Sequence, residues 1–224
     1  MSGTICQTLK NNAVIKPPTW KVAIQALDEA LSSRILAKRA PDLAFQPKLL
    51  NLGCGPVRYP EWVNADFYTF RWAMRRFPKP EWVLDATKPW NCQDNYWDGI
   101  FTEHVLEHFN YKDAIHAIVE CYRTLKPGAW LRISVPDINK YINGQPLKTE
   151  QQRRPLAVSS AAQQDGHKSV WDPSLMMEVV AECGFTNIRD TGFGQGIDER
   201  LIRDQEVRRE FSLYVEAQKP STQS

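Results

Sequence analysis

The run T-E-H-V-L-E-H-F contains His104-x-x-Glu107-His108, the spacing by which inverted zinc peptidases supply two metal ligands and a base. In such an enzyme both imidazoles sit on one face of a helix and another carboxylate completes the coordination. Here the motif begins two residues past a predicted strand end, Thr102, and Val105, Leu106 and Phe109 read as a short turn wedged against a sheet. A zinc-dependent hydrolase built on His104, Glu107 and His108 is therefore carried as an alternative. The leading expectation is a protein without bound metal, in which Glu107 and His108 brace the turn or the cleft wall through hydrogen bonds.

A second group of residues points to different chemistry. L-L-N-L-G-C-G-P places Gly53 and Gly55 after an apolar run, where an open α/β sheet binds its ligand and backbone must come close to it. The third glycine of a dinucleotide fingerprint would fall at position 58, which is Arg58, and the link to the next apolar run is too short for a full crossover helix. A pyrophosphate cradle is thus poorly supported. Asp66 and Asp85 close the next two apolar runs, so both carboxylates belong to the same sheet edge as the glycine turn. One can accept hydrogen bonds from ribose hydroxyls and the other from an adenine amino group. Either Asp alone reads first as a helix cap or turn residue; with the glycines they form a nucleoside-binding constellation.

These residues need a scaffold. K-L-L-N-L (48–52), W-V-N-A-D (62–66), W-V-L-D (82–85), D-G-I-F-T (98–102) and W-L-R-I-S-V-P (130–136) read as strands, and F-S-L-Y-V-E-A (211–217) alternates as a strand does. Ile115, Ile118, Val119, Tyr122 and Leu125 recur at helical spacing before Lys126-Pro127-Gly128, and a second helix is expected from Pro173 to about Cys183. The pattern predicts a mostly parallel sheet within one domain over 46–217. A flexible arm over 1–18, a flanking amphipathic helix over 19–41 and a disordered tail over 218–224 are expected around it. The stretch 136–171, mixed in polarity and without a clear period, is expected to be a substrate lid.

The composition excludes several classes. With 224 residues, 42% apolar and 24% charged, the chain can bury a core without disulfides. A net charge of +2 gives no strong field for nucleic acid, and no nucleic-acid partner is expected. The five cysteines have no C-x-x-C pair, no run is long enough to span a membrane, and the N-terminus has no signal-peptide core, so a cytoplasmic location is expected.

The motifs L-L-N-L-G-C-G-P, V-N-A-D-F, V-L-D-A-T-K-P-W, D-G-I-F-T-E-H-V-L-E-H-F and Y-R-T-L-K-P-G-A-W-L-R-I-S-V-P-D resemble, in order, those of class I S-adenosylmethionine-dependent methyltransferases. The likeness runs from Lys48 to Asp137 and more weakly beyond. It is nearest to a bacterial group of small-molecule methyltransferases with H-V-L-E-H after strand four, some associated with polysaccharide biosynthesis. The resemblance implies a Rossmann-like, mostly parallel seven-stranded sheet with helices on both faces and an antiparallel last strand. It implies S-adenosylmethionine as cofactor, with contacts from Gly53, Cys54, Gly55, Asp66, Asp85 and Ala86, and a small-molecule or saccharide acceptor. Asn51, also expected among the cofactor contacts, replaces an acid that many members carry, so the cofactor's methionine end is expected to be held differently, by Arg58 or Glu103.

His104 is the expected general base if the acceptor is a hydroxyl, and His167 in G-H-K-S-V-W-D can reach the same cleft; a structural role is the alternative for each. Arg71, Arg75, Arg76 and Lys79 read as a solvated face before an anion site, and T-G-F-G-Q-G (191–196) as a flexible turn. A binding module that keeps the nucleoside pocket without turnover is the remaining alternative.

Overall fold

The computed structural model describes residues 40–42, 46–67, 79–143, 154–163 and 166–221, with 23, 27, 28 and 31 from the N-terminal stretch. The expected arm, most of the helix over 19–41 and the basic cluster at 71–76 lie outside them.

Seven strands form one sheet in the order β3-β2-β1-β4-β5-β7-β6: β1 (Leu49–Leu52), β2 (Val63–Asp66), β3 (Trp82–Val83), β4 (Trp97–Glu103), β5 (Leu125–Pro136), β6 (Thr186–Asp190) and β7 (Ser212–Gln218). The first five run parallel, and β7 is antiparallel to both β5 and β6. Four described helices accompany it: α1 (Tyr111–Thr124), α2 (Ile138–Ile142), α3 (Arg154–Gln163) and α4 (Pro173–Glu182). None is long and apolar enough to cross a membrane.

Register brings the strand ends together. Leu52 lies opposite both Ala65 and Thr102, and Asp66 opposite Val83, so the chain leaves β1, β2, β3 and β4 along one edge. Between β1 and β2 there is no helix, as the short link required.

Alternation along the strands makes two cores. Leu50, Leu52, Ile100, Leu131, Ile133 and Val215 face one side, where Trp82 stacks near Trp97 and Trp90 at 5.9 and 5.8 Å. The helix α1 lies on this face through Ala114, Ala117, Ile118 and Cys121. Two members of the predicted stripe, Ile115 and Val119, point outward instead. Small alanines let the helix lie close to the strands, which selects that face. Asn110 starts the helix by accepting the Asp113 N–H at 3.1 Å. Met176 and Val180 bring α4 onto the same core. On the other face Leu49, Trp62, Phe101 and Leu201 form a smaller cluster. Its described cover includes the 3-10 turn Glu199–Leu201, with Tyr59 and Trp130 packed against the cluster.

The stretch 136–171 is not structureless. It holds α2 and α3, and α3 has small buried residues, Ala157 and Ala161, where an apolar stripe would have betrayed it. The glycine-rich piece 191–196 is pinned: Arg132 donates to the carbonyls of Gln195 and Gly192 at 2.9 and 3.3 Å. A Cβ at Gly196 would strike the Glu216 carboxylate, so glycine serves close packing there.

Candidate functional site

The site begins where β1 stops. Gly53 has φ +70, and a Cβ there would collide with Val105, so both conformation and space demand glycine. The amides of Gly53 and Cys54 donate to Ala65 O at 2.8 and 3.0 Å, folding the turn back over the end of β2. Asp66 completes the clamp, accepting Gly55 N–H on Oδ2 at 2.6 Å and Phe67 N–H on Oδ1 at 2.7 Å. Burial raises its pKa above 3.8, while these two amides pull it down.

Asp85 stands beyond β3. Thr87 donates to it through its amide at 3.0 Å and its hydroxyl at 2.6 Å, both on Oδ1. Asn51, buried at the end of β1, is occupied with the turn: its Nδ2 donates to Asn64 Oδ1 at 3.0 Å and Val57 O at 3.2 Å. Arg58 contacts Cys54 Sγ and donates to Gly55 O at 2.8 Å. Burial, ahead of Asp66's charge, pushes the Cys54 thiol up to about 12, which removes it as a nucleophile at neutral pH.

Along β4 the carboxylate of Glu103 is buried and receives Gln205 N–H at 3.0 Å and Gln205 Nε2 at 2.7 Å. His104 follows with φ +56, a left-handed conformation rare outside glycine. Its ring is held at Nε2, 2.8 Å from Ser212 Oγ, while Nδ1 lies at ion-pair distance, 3.1 Å, from Glu107 Oε1 without hydrogen-bonding geometry, and Phe211 stands edge-on at 5.6 Å. Glu107 and His108 belong to a three-residue 3-10 turn, Leu106–His108. A zinc peptidase's one-faced pair of imidazoles needs a continuous helix, and this turn provides none.

A cavity of about 810 Å³ occupies the sheet edge, and Asn51, Gly53, Cys54, Gly55, Asp66, Asp85, Ala86, Glu103 and His104 all line it. A second cavity of about 330 Å³ adjoins it, sharing His104, His108 and Arg208. His167 lies in the second cavity only, its ring 5.1 Å from that of His108. The expectation that His167 reaches the cleft therefore holds for the smaller chamber. Burial, the first cause, lowers the His108 pKa below 6.5. Sequence reading gave His108 a bracing role, or a zinc ligand's in the hydrolase alternative, and missed Gln205 and Arg208, which reach the cavities from more than 100 residues beyond β4.

A family profile described as a methyltransferase domain matches residues 50–133, from β1 through β5. No curated protein sequence matches the chain. Among solved structures, an S-adenosylmethionine-dependent methyltransferase from Mesorhizobium loti superposes with TM-score 0.51 at 15% identity, covering 85% of this chain and 97% of that one. A candidate S-adenosylmethionine-dependent methyltransferase from Listeria monocytogenes gives 0.50 at 14%, covering 86% and 99%. At these identities the likeness speaks for the fold, and the profile speaks for the stretch it matches. With the strand order and the glycine turn agreeing, residues 50–133 carry a methyltransferase domain on a fold like that of S-adenosylmethionine-dependent methyltransferases.

Proposed function

We propose that the larger cavity takes S-adenosylmethionine, and that the methyl group passes to a hydroxyl of a small molecule or saccharide held in the smaller one. One observation carries this reading: the glycine turn, Asp66 and Asp85 line a single cavity that meets a second at His104 and His108. When bound, S-adenosylmethionine supplies an electrophilic methyl carbon and departs as a neutral thioether, so the protein's work is alignment and exclusion of water.

The residues fit that cofactor. The volume, about 810 Å³, suits a nucleoside-sized ligand. Asp66 Oδ1 has one lone pair taken by a backbone amide and one left for a ribose hydroxyl, while Oδ2 receives the Gly55 amide and, at 3.9 Å, the Cys54 thiol. Asp85 keeps Oδ2 for an exocyclic amino group. Glu103, with one Gln205 N–H on each oxygen, retains lone pairs for the cofactor's ammonium.

His104 is the base in this reading. Glu107 beside Nδ1 leaves Nε2 as the basic nitrogen, which, once the Ser212 hydroxyl bonded to it has turned away, takes the proton from the acceptor O–H while the oxygen forms its bond to the methyl carbon. Glu107 then stabilises the imidazolium. Calorimetry with S-adenosylhomocysteine, followed by an acceptor screen with radiolabelled methyl donor, tests the proposal. Saturable binding and label transfer to a hydroxylated acceptor support it. Binding without transfer to any acceptor favours the non-catalytic module, and absence of binding defeats both readings.

A further inference from the structure

We propose that Glu107, His108 and His167 form a divalent-metal site in the wall of the smaller cavity, taking a zinc-like transition-metal ion that holds the acceptor's hydroxyl. The inference deepens the acceptor side of the function just proposed and rests on it only for the role of the ion.

Three observations converge. First, a carboxylate oxygen and one nitrogen from each imidazole lie within 4.8 Å of one another. Two bonds of ~2.1 Å to one ion span at most ~4.2 Å, so small side-chain rotations close the site. Second, one of the two histidines, His167, is already oriented as a ligand. His167 Nδ1 sits 2.6 Å from Ala161 O and so carries the proton, which leaves Nε2 with its lone pair. The His108 ring lies 5.1 Å from that of His167, edge-on. A ligating imidazole commonly donates its other N–H to a backbone carbonyl, which fixes ring and tautomer.

Third, the Glu107 side chain is only 1% exposed, and among the described residues neither carboxylate oxygen has a hydrogen-bond partner. His104 Nδ1 is at ion-pair distance from Oε1 but off hydrogen-bonding geometry. A carboxylate kept only to orient His104 would need one oxygen; the other is unaccounted for. A buried carboxylate without partners is costly, and a cation removes the cost.

Two histidines and one carboxylate leave coordination positions open, and the cavity that His108 and His167 line, with Glu107 buried behind them, is shared with His104. An acceptor hydroxyl bound to the ion is acidified, and its proton passes to His104 Nε2: the O–H bond breaks and an N–H bond forms.

The test is metal binding on the full chain after chelator treatment. Co²⁺ is titrated while the visible d–d bands are read, and Zn²⁺ content is measured by mass spectrometry after dialysis. We expect about one ion per chain, with affinity falling about tenfold or more in Glu107→Gln and His167→Ala, on the scale of disrupted metal sites. His104→Gln should bind Co²⁺ within about threefold of wild type, since its ring is a neighbour of the ligands and not one of them. S-adenosylhomocysteine binding, measured in every variant, reports the fold of the larger cavity; where His167→Ala loses it, His167→Asn is used instead. Substoichiometric metal, or Co²⁺ affinity indifferent to His167 and Glu107, overturns the site. Stoichiometric Co²⁺ with no S-adenosylhomocysteine binding would leave the metal site standing and sink the methyl-donor assignment.

Discussion

At the scale of single residues the sheet edge holds a carboxylate against its own preference. A carboxyl whose folded pKa is raised favours the folded state below its unfolded value and loses that benefit as pH rises through the folded value. Asp66 is raised, by burial first, so at neutral pH its ionised form is a net burden on stability. Its two backbone partners explain the turn, and the remaining lone pair explains why a charge is kept there at all. Asp66→Ala should therefore weaken S-adenosylhomocysteine binding by about 1.5 to 3 kcal/mol, the range for hydrogen bonds to a charged group. Asp85→Ala should lose less. Calorimetry on folded variants decides the matter; wild-type affinity in Asp66→Ala would remove the ribose assignment.

At the scale of elements the sequence was legible wherever a strand ended in something distinctive. β1, β2, β3 and β4 were readable because apolar runs stop at Gly53, Asp66, Asp85 and Glu103, and parallel register puts those stops on one edge. α3 was unreadable because alanines carry its packing, and the inward face of α1 was misjudged for the same reason. Side-chain ties between elements leave no periodic trace either. Glu120, on α1, accepts Trp90 N–H at 2.7 Å and both Arg123 Nε and Nη2, at 2.9 and 2.7 Å, binding the helix to the loop after β3. Burial opposes its charge, yet Arg123 and the Trp90 amide prevail and its pKa lies below 4.5. A lowered folded pKa contributes stability above the unfolded value and loses it as pH falls through the folded one. Glu120→Ala should cost about 1 to 3 kcal/mol at pH 7, chiefly through the orphaned Trp90 amide. In urea titrations the gap from wild type should narrow below pH 4.5; a pH-independent difference would mean the ion pair contributes nothing.

At the scale of the whole molecule, what closes the site was hidden because it joins residues far apart in sequence. Arg132, on β5 and 0% exposed, pairs with Asp204 at 2.5 Å and with Glu216 of β7 at 3.0 Å. Glu216 Oε2 also accepts Ile197 N–H, and Asp204 Oδ2 accepts Gly194 N–H, so one guanidinium organises the return of the chain over 192–204. Gln205 is the next residue, and it is Gln205 that holds Glu103 at the cavity wall, with Arg208 donating to Glu103 O at 3.2 Å. The order of cause is thus a buried charge network, then a fixed loop, then a positioned carboxylate. Removing one member of such a network strands the others, at about 3 to 5 kcal/mol, whereas replacing all members with apolar residues is often neutral. Arg132→Met should accordingly lower the urea midpoint sharply and also weaken S-adenosylhomocysteine binding, although Arg132 touches neither cavity. Arg132→Met combined with Asp204→Leu and Glu216→Leu should recover much of the stability but not the affinity, because the Gly194 and Ile197 amides lose the carboxylates that shape the loop. Recovery of both together would show that apolar packing alone holds Gln205 against Glu103, and the network would then have no part in building the site.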